Sequence, residues 1–175
     1  MTLRRGTITT PRNQTMARTD PADVIDRAAG LAPGDILHAA RRFRAKVVDA
    51  TQASHDALLR LPVDGLPTAD RLRVAAHVCA IAGAASLARH YEAELAADAG
   101  RLAPPAPALP AMLDFAAALT TDPRRGDRAA LVALRRAGLT DPAIVALAQL
   151  VAFLSYQLRV VAGLQAMRAG RGETL

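Results

Sequence analysis

Apolar and small residues recur along this chain at helical spacing. Ile36, Ala40, Phe43, Val47, Ala50, Ser54, Ala57 and Leu61 follow one another at intervals of four and three. That interval predicts one helix from about Pro33–Asp35 to Leu61, with these residues as its seam, and cannot fit a strand. Upstream, Asp20-Pro21 supplies an N-cap and a proline tolerated at the first helical position, and Gly30 supplies a stop, so a short helix is predicted over 21–29. The stretch 62–67 (PVDGLP) is a turn by composition.

The next region, Thr68 to about Ala99, is alanine-rich and holds Gly83. Glycine inside a helix costs about 1 kcal/mol relative to alanine, so Gly83 predicts a bend or a boundary, with helices near 69–81 and 84–98. Four prolines between 101 and 110 predict an extended linker. Helices are then expected over 111–120, over 127–137 with Gly138 as the stop, and from Asp141-Pro142 to about Met167. No segment alternates with a period of two. The fold class is therefore all-α, a bundle of six or seven helices.

Composition narrows the picture. The 175 residues suit one domain with a core of its own. Aromatics are only 3%, so the core must be built from Ala, Leu and Val. Residues 1–19 carry Arg4, Arg5, Arg12 and Arg18 and no acid, which concentrates most of the net charge of +6 in that stretch. It reads as a disordered basic extension, 20–168 as a single all-α domain, and 169–175 as a frayed tail. No zinc-finger spacing, aromatic stacking run or Gly-rich loop accompanies the basic charge, so no nucleic acid is expected as a partner. One cysteine, Cys79, excludes a disulfide framework and a two-cysteine redox pair within one chain. The first fifteen residues lack the apolar run of a signal peptide, and the expected location is cytoplasmic.

Pro142–Leu158 contains no charged residue, yet a spanning helix needs about 20 apolar residues, and Gln149, Ser155 and Gln157 interrupt this one. It reads as a buried helix and not as a membrane span. Its apolar residues fall on most of its circumference, which one small bundle cannot cover. A homo-oligomer, with a dimer or trimer as the unit, is expected to cover the last helix or the 69–98 region.

The segment LRVAAHVCAIAGAASLARHYEAEL (72–95) resembles the core of the carboxymuconolactone decarboxylase and alkylhydroperoxidase D superfamily, in which an apolar helix and a small-residue break precede a helix carrying Cys-x-x-Cys-x-x-x-His. The His of that pattern falls on His90. The segment 140–164 is similar to a late helix of the peroxidase-related branch, with Arg159 matching its Arg and Leu158 standing where Asn is usual. ADVIDRAAGL (22–31) and DATQASHDALLRL (49–61) resemble uncharacterised members of that branch. The resemblance spans about residues 20–168 and implies an all-α bundle that assembles into oligomers. Its chemistry does not carry over intact. The two cysteine positions fall on Gly83 and Ser86, and the proton-relay Glu falls on Arg71, with Asp70 one residue away. A serine hydroxyl cannot replace a thiolate that attacks a hydroperoxide and is then resolved by a second thiol.

Among the chemical groups that remain, Ser86, His90 and Glu94 recur every four residues and form one polar stripe on a helix. The stripe reads as a hydrated His–Glu surface pair or as a catalytic set in which His90 is an acid or base on a small organic substrate, as in the decarboxylase branch. His90 and Glu94 could supply two metal ligands, but no third is spaced to join them, so no metal and no cofactor is expected. Cys79 reads as a small buried hydrophobe or as the thiol of a one-cysteine peroxidase. Tyr91 and Tyr156 pack in the core or line one cavity together with Arg159. The run Arg41-Arg42-Phe43-Arg44-Ala45-Lys46 reads as a solvated face or as a site for an acidic partner. The alternative to an enzyme is a non-catalytic binding or assembly protein that keeps only the fold.

Overall fold

A computed structural model describes residues 23–97 and 104–172, and among these there are eight α-helices, one 3-10 turn and no strand. The basic segment 1–19, the Asp20-Pro21 start signal, the first residues of the proline linker and the last three residues lie outside them. The helices are α1 Val24–Ala29, α2 Ile36–Arg42, α3 Ala45–Arg60, α4 Thr68–Ile81, α5 Ala85–Ala97, α6 Leu109–Thr121, α7 Arg128–Arg136 and α8 Asp141–Gly172; the 3-10 turn is Pro123–Arg125. α8 runs five residues past its expected end at Met167, into the expected frayed tail.

The helix boundaries follow from local chemistry. Asp23 caps α1, its Oδ1 accepting from the Ile25 N–H at 2.7 Å, and Gly30 ends the helix in the left-handed region at φ 69°. The expected break at Gly83 is present. Gly83 has φ 71°, and the Ala84 N–H reaches back to the Cys79 carbonyl at 2.9 Å, which closes α4 and lets α5 fold back on it. The single helix expected over 35–61 is two helices, because the backbone breaks at Phe43–Arg44.

α4 and α8 lie at the centre. α4 buries Leu72, Val74, Ala75, Val78 and Cys79, and α8 buries Ala143, Ile144, Leu147, Leu150, Val151, Leu154, Val161 and Leu164. α8 packs against α1, α3, α4, α6 and α7, with Met112 and Phe115 of α6 fully or nearly fully buried. α8 is long and apolar enough to cross a membrane by length and composition. It is not apolar all round, however: Gln149, Tyr156 and Arg159 lie on exposed positions, beside the exposed apolar Val145.

Two polar devices set how the outer helices dock. Of the basic run, Arg44 and Lys46 are exposed, whereas Arg41 and Arg42 turn toward α1. Arg41 donates to Asp26 and Asp23 at 2.8 and 2.9 Å, and Arg42 donates to Asp26 at 2.8 Å, which ties α2 to α1. Arg71, only 1% exposed, donates to the Leu58 and Leu61 carbonyls at 2.7 Å each and to Thr68 Oγ1 at 2.9 Å. These carbonyls end α3, where the helix leaves acceptors unpaired and carries partial negative charge. The expected seam is thereby turned outward. Ile36, Phe43, Val47 and Leu61 are exposed, Phe43 at 88%, while Val48, His55 and Leu59 are the buried residues of α3.

Candidate functional site

His90 of α5 meets α3 and α8 where three aromatic rings converge. Its ring centroid is 5.0 Å from that of Tyr91 and 6.2 Å from that of His55 on α3. His55 lies 6.1 Å from Tyr91 and 6.3 Å from Phe153 of α8. Tyr91 is fully buried and its hydroxyl donates to Oε1 of the equally buried Gln157 at 2.6 Å. Burial pushes the Tyr91 phenol well above its ordinary range, so it stays a neutral hydrogen-bond donor.

Glu94 stands one turn beyond His90. Its Oε1 is 3.4 Å from His90 Nε2, within reach of electrostatic attraction but out of hydrogen-bond alignment, so that buried Nε2 has no hydrogen-bond partner. Arg60 of α3 holds the same carboxylate oxygen at 3.2 Å. Burial holds the His90 imidazole below its usual range. Glu94 opposes that shift, while Arg27, His55 and Arg60 add to it. His90 is therefore a neutral imidazole near pH 7, with one nitrogen buried and unengaged and a carboxylate beside it. Such a group can take up a proton and have the resulting cation stabilised by Glu94.

The stripe of three is not one cluster. His90 and Glu94 adjoin, but Ser86 faces a groove between α1 and α8, where Gln165 Nε2 is 3.5 Å from its Oγ. The two tyrosines do not share a cavity either. Tyr156 is half-exposed, with its hydroxyl 3.3 Å from Thr51 Oγ1, whereas the Tyr91 hydroxyl is interior. Arg159 is exposed and donates to the Ser155 carbonyl of its own helix at 3.2 Å. Cys79 is fully buried, and desolvation pushes its thiol up to about 12. At the expected place of the relay carboxylate, Arg71 is the clamp on α3. Asp70 is equally buried, held by Arg73 at 2.7 Å and by the Ala106 N–H at 3.1 Å.

His55 is the residue that sequence reasoning missed. It is 2% exposed, its Nδ1 lies 3.1 Å from Asp56 Oδ1 and 3.4 Å from Gln52 Nε2, and its Nε2 is buried without a partner. The signal was a second register on α3: Val48, Gln52, His55 and Leu59 also follow at four, three and four. Among the described residues, no group of three or more His, Cys, Asp or Glu is placed to hold a metal ion.

No protein-family model matches the chain, and no curated protein matches it. Solved structures do. An alkylhydroperoxidase AhpD core protein from Ralstonia eutropha JMP134, described as an uncharacterized peroxidase-related protein, superposes with a TM-score of 0.53 and 25% identity, over 79% of this chain and 78% of that one. An uncharacterized peroxidase-related protein from Silicibacter sp. TM1040 superposes with a TM-score of 0.55 and 23% identity, over 90% of this chain and 93% of that one.

Proposed function

We propose that this chain, which belongs to the alkylhydroperoxidase D-like superfamily, is a thiol-independent member in which His90 acts as a general acid or base on a small organic substrate. The observation that carries this reading is the buried, unengaged Nε2 of a neutral His90 beside Glu94. A general base must be unprotonated at the working pH with its acceptor nitrogen free. Here Nε2 would take a proton from a substrate C–H or O–H, Glu94 would stabilise the imidazolium, and the proton would be returned to the product. Arg60 fixes Glu94, and Tyr91–Gln157 forms a rigid wall behind the ring. Glycine and serine at the dithiol positions and the sealed Cys79 argue against peroxide chemistry.

The test is hydrogen–deuterium exchange by NMR, with a panel of small lactones and keto acids incubated with the protein in heavy water. Exchange or turnover that falls by about two to four orders of magnitude in H90Q, and less in E94Q, supports the role. Exchange that is unchanged in a folded H90Q protein overturns it.

A second reading, assembly, has its own observation. Val47, Ala50 and Ser54 of the seam face outward and, with Phe153 and Tyr156, line a surface groove of about 390 Å³, while Phe43 ahead of them is exposed. Exposed large apolar residues at helical spacing are what a partner helix covers. In this reading a second copy of the chain docks there, and not primarily on the 69–98 region. Light scattering of the full chain would give a dimer or trimer that F43S/V47S converts to monomer. A wild-type monomer at tens of micromolar rules it out.

A further inference from the structure

We propose that the groove between α1, α5 and α8 binds an oxyanion group, a carboxylate or phosphate carried by a small molecule. The groove has a volume of about 570 Å³, and its polar walls are Arg27, Ser86, Arg89, Gln165 and Arg168. Three arginines line it and, among the described residues, no acidic one does.

That imbalance is unusual for this protein. Arg41, Arg42, Arg60, Arg73 and Arg135 each have a carboxylate of the same chain within 3.2 Å. No side-chain hydrogen bond or ion pair joins Arg27 or Arg89 to any other described residue. Glu92, one turn from Arg89 on the same helix, does not pair with it. Like charges gathered on a concave surface raise the local potential and attract a counter-ion. The planar guanidinium fork matches the paired oxygens of a carboxylate or phosphate.

The rim is also built. Gln165 donates to the Ala28 carbonyl at 3.1 Å, and Arg168 donates to the Gly30 carbonyl. The carbonyls at the end of α1 are thus satisfied by α8, and Arg168 is one of the residues that line the groove. Gly30 permits this approach, because a Cβ there would collide with the Arg168 guanidinium. Ser86 and Gln165 add neutral donors beside the three charges. Arg27 is also near enough to His90 to act on its protonation, along with Glu94, His55 and Arg60. The groove shares helix α5 with His90 through Ser86 and Arg89, but anion binding does not require His90 to perform any chemistry.

The experiment is an NMR titration of the full chain with inorganic phosphate and, separately, with malonate, at an ionic strength held constant with chloride. The proposal expects saturable shifts of the Gly30, Ser86 and Arg89 amides. R27Q and R89Q should each weaken binding by about threefold or more, and the double variant further. R124Q, far from the groove on the 3-10 turn, should bind as wild type. At saturation the His90 ring should titrate at higher pH, because the anion offsets Arg27. Saturation by phosphate alone assigns a phosphate group, by malonate alone a carboxylate, and by both the shared oxyanion chemistry. Shifts that match the chloride control, or a folded R27Q/R89Q protein that binds like wild type, overturn the proposal. H90Q should retain binding, so failure of the acid–base role and failure of the anion site are separately visible.

Discussion

Cys79 is the residue through which any thiol redox activity of this chain would have to run, and its setting predicts that it is inert. The thiol is fully buried on the core side of α4 and its pKa is pushed up to about 12 from an ordinary 9.0. Each pKa unit is tenfold in thiolate, so at neutral pH the reactive form is about a thousandfold rarer than for an exposed cysteine, equivalent to about 4 kcal/mol. Occlusion by the core multiplies that effect, because a reagent must wait for the α4–α5 hairpin to open. The assay is thiol labelling by an aromatic disulfide, in native buffer and in urea, together with organic hydroperoxide turnover supplied with a dithiol reductant. Native labelling should be slower than in urea by well over that factor, and no turnover should be seen. C79A should lower stability by about 1 kcal/mol, since one buried heavy atom is lost. The sign of the pH effect is fixed as well. A raised folded pKa means that the protonated thiol's stabilisation is intact below pH 9 and is lost as pH climbs toward 12. Labelling of the native protein at the rate of a free thiol would refute the burial argument. Turnover abolished by C79A would restore the one-cysteine peroxidase.

Other consequences can be checked on the same protein. R71M should lower the free energy of unfolding by about 2–4 kcal/mol in urea melts, because two carbonyls at the end of α3 lose the charged donor that the buried Arg71 supplies. A loss below about 1 kcal/mol would mean that water replaces the clamp. G83A should cost about 1–2 kcal/mol, since Gly83 has φ 71° and a Cβ there meets nothing within 4 Å, which leaves backbone strain as the whole penalty. For His90, whose folded pKa is depressed, the stability contribution is present above the unfolded value near 6.5 and is lost as pH falls through the folded value. The melting temperature should therefore drop more steeply below pH 6.5 in wild type than in H90Q, and parallel curves would contradict the burial of that ring.

What the sequence determined by itself was local. Gly30, Gly83 and Gly138 were legible as stops because each needs a positive φ that other residues avoid, and the structure gives them φ 69°, 71° and 98°. The all-α class was legible because apolar residues recur at three and four and never at two. The pair His90–Glu94 was legible because four residues are one helical turn. Which side of a helix faces inward is not a local property. On α3 two registers compete, and the more apolar one, through Phe43 and Val47, is exposed, while the register holding His55 is buried. The choice is made by contacts distant in sequence: Asp23 and Asp26 capturing Arg41 and Arg42, and Arg71 gripping the carbonyls that end α3. Together they place His55 against His90 and leave Ser86 in a different groove, because each of these positions depends on two helices meeting, and periodicity within one helix carries no information about its neighbour.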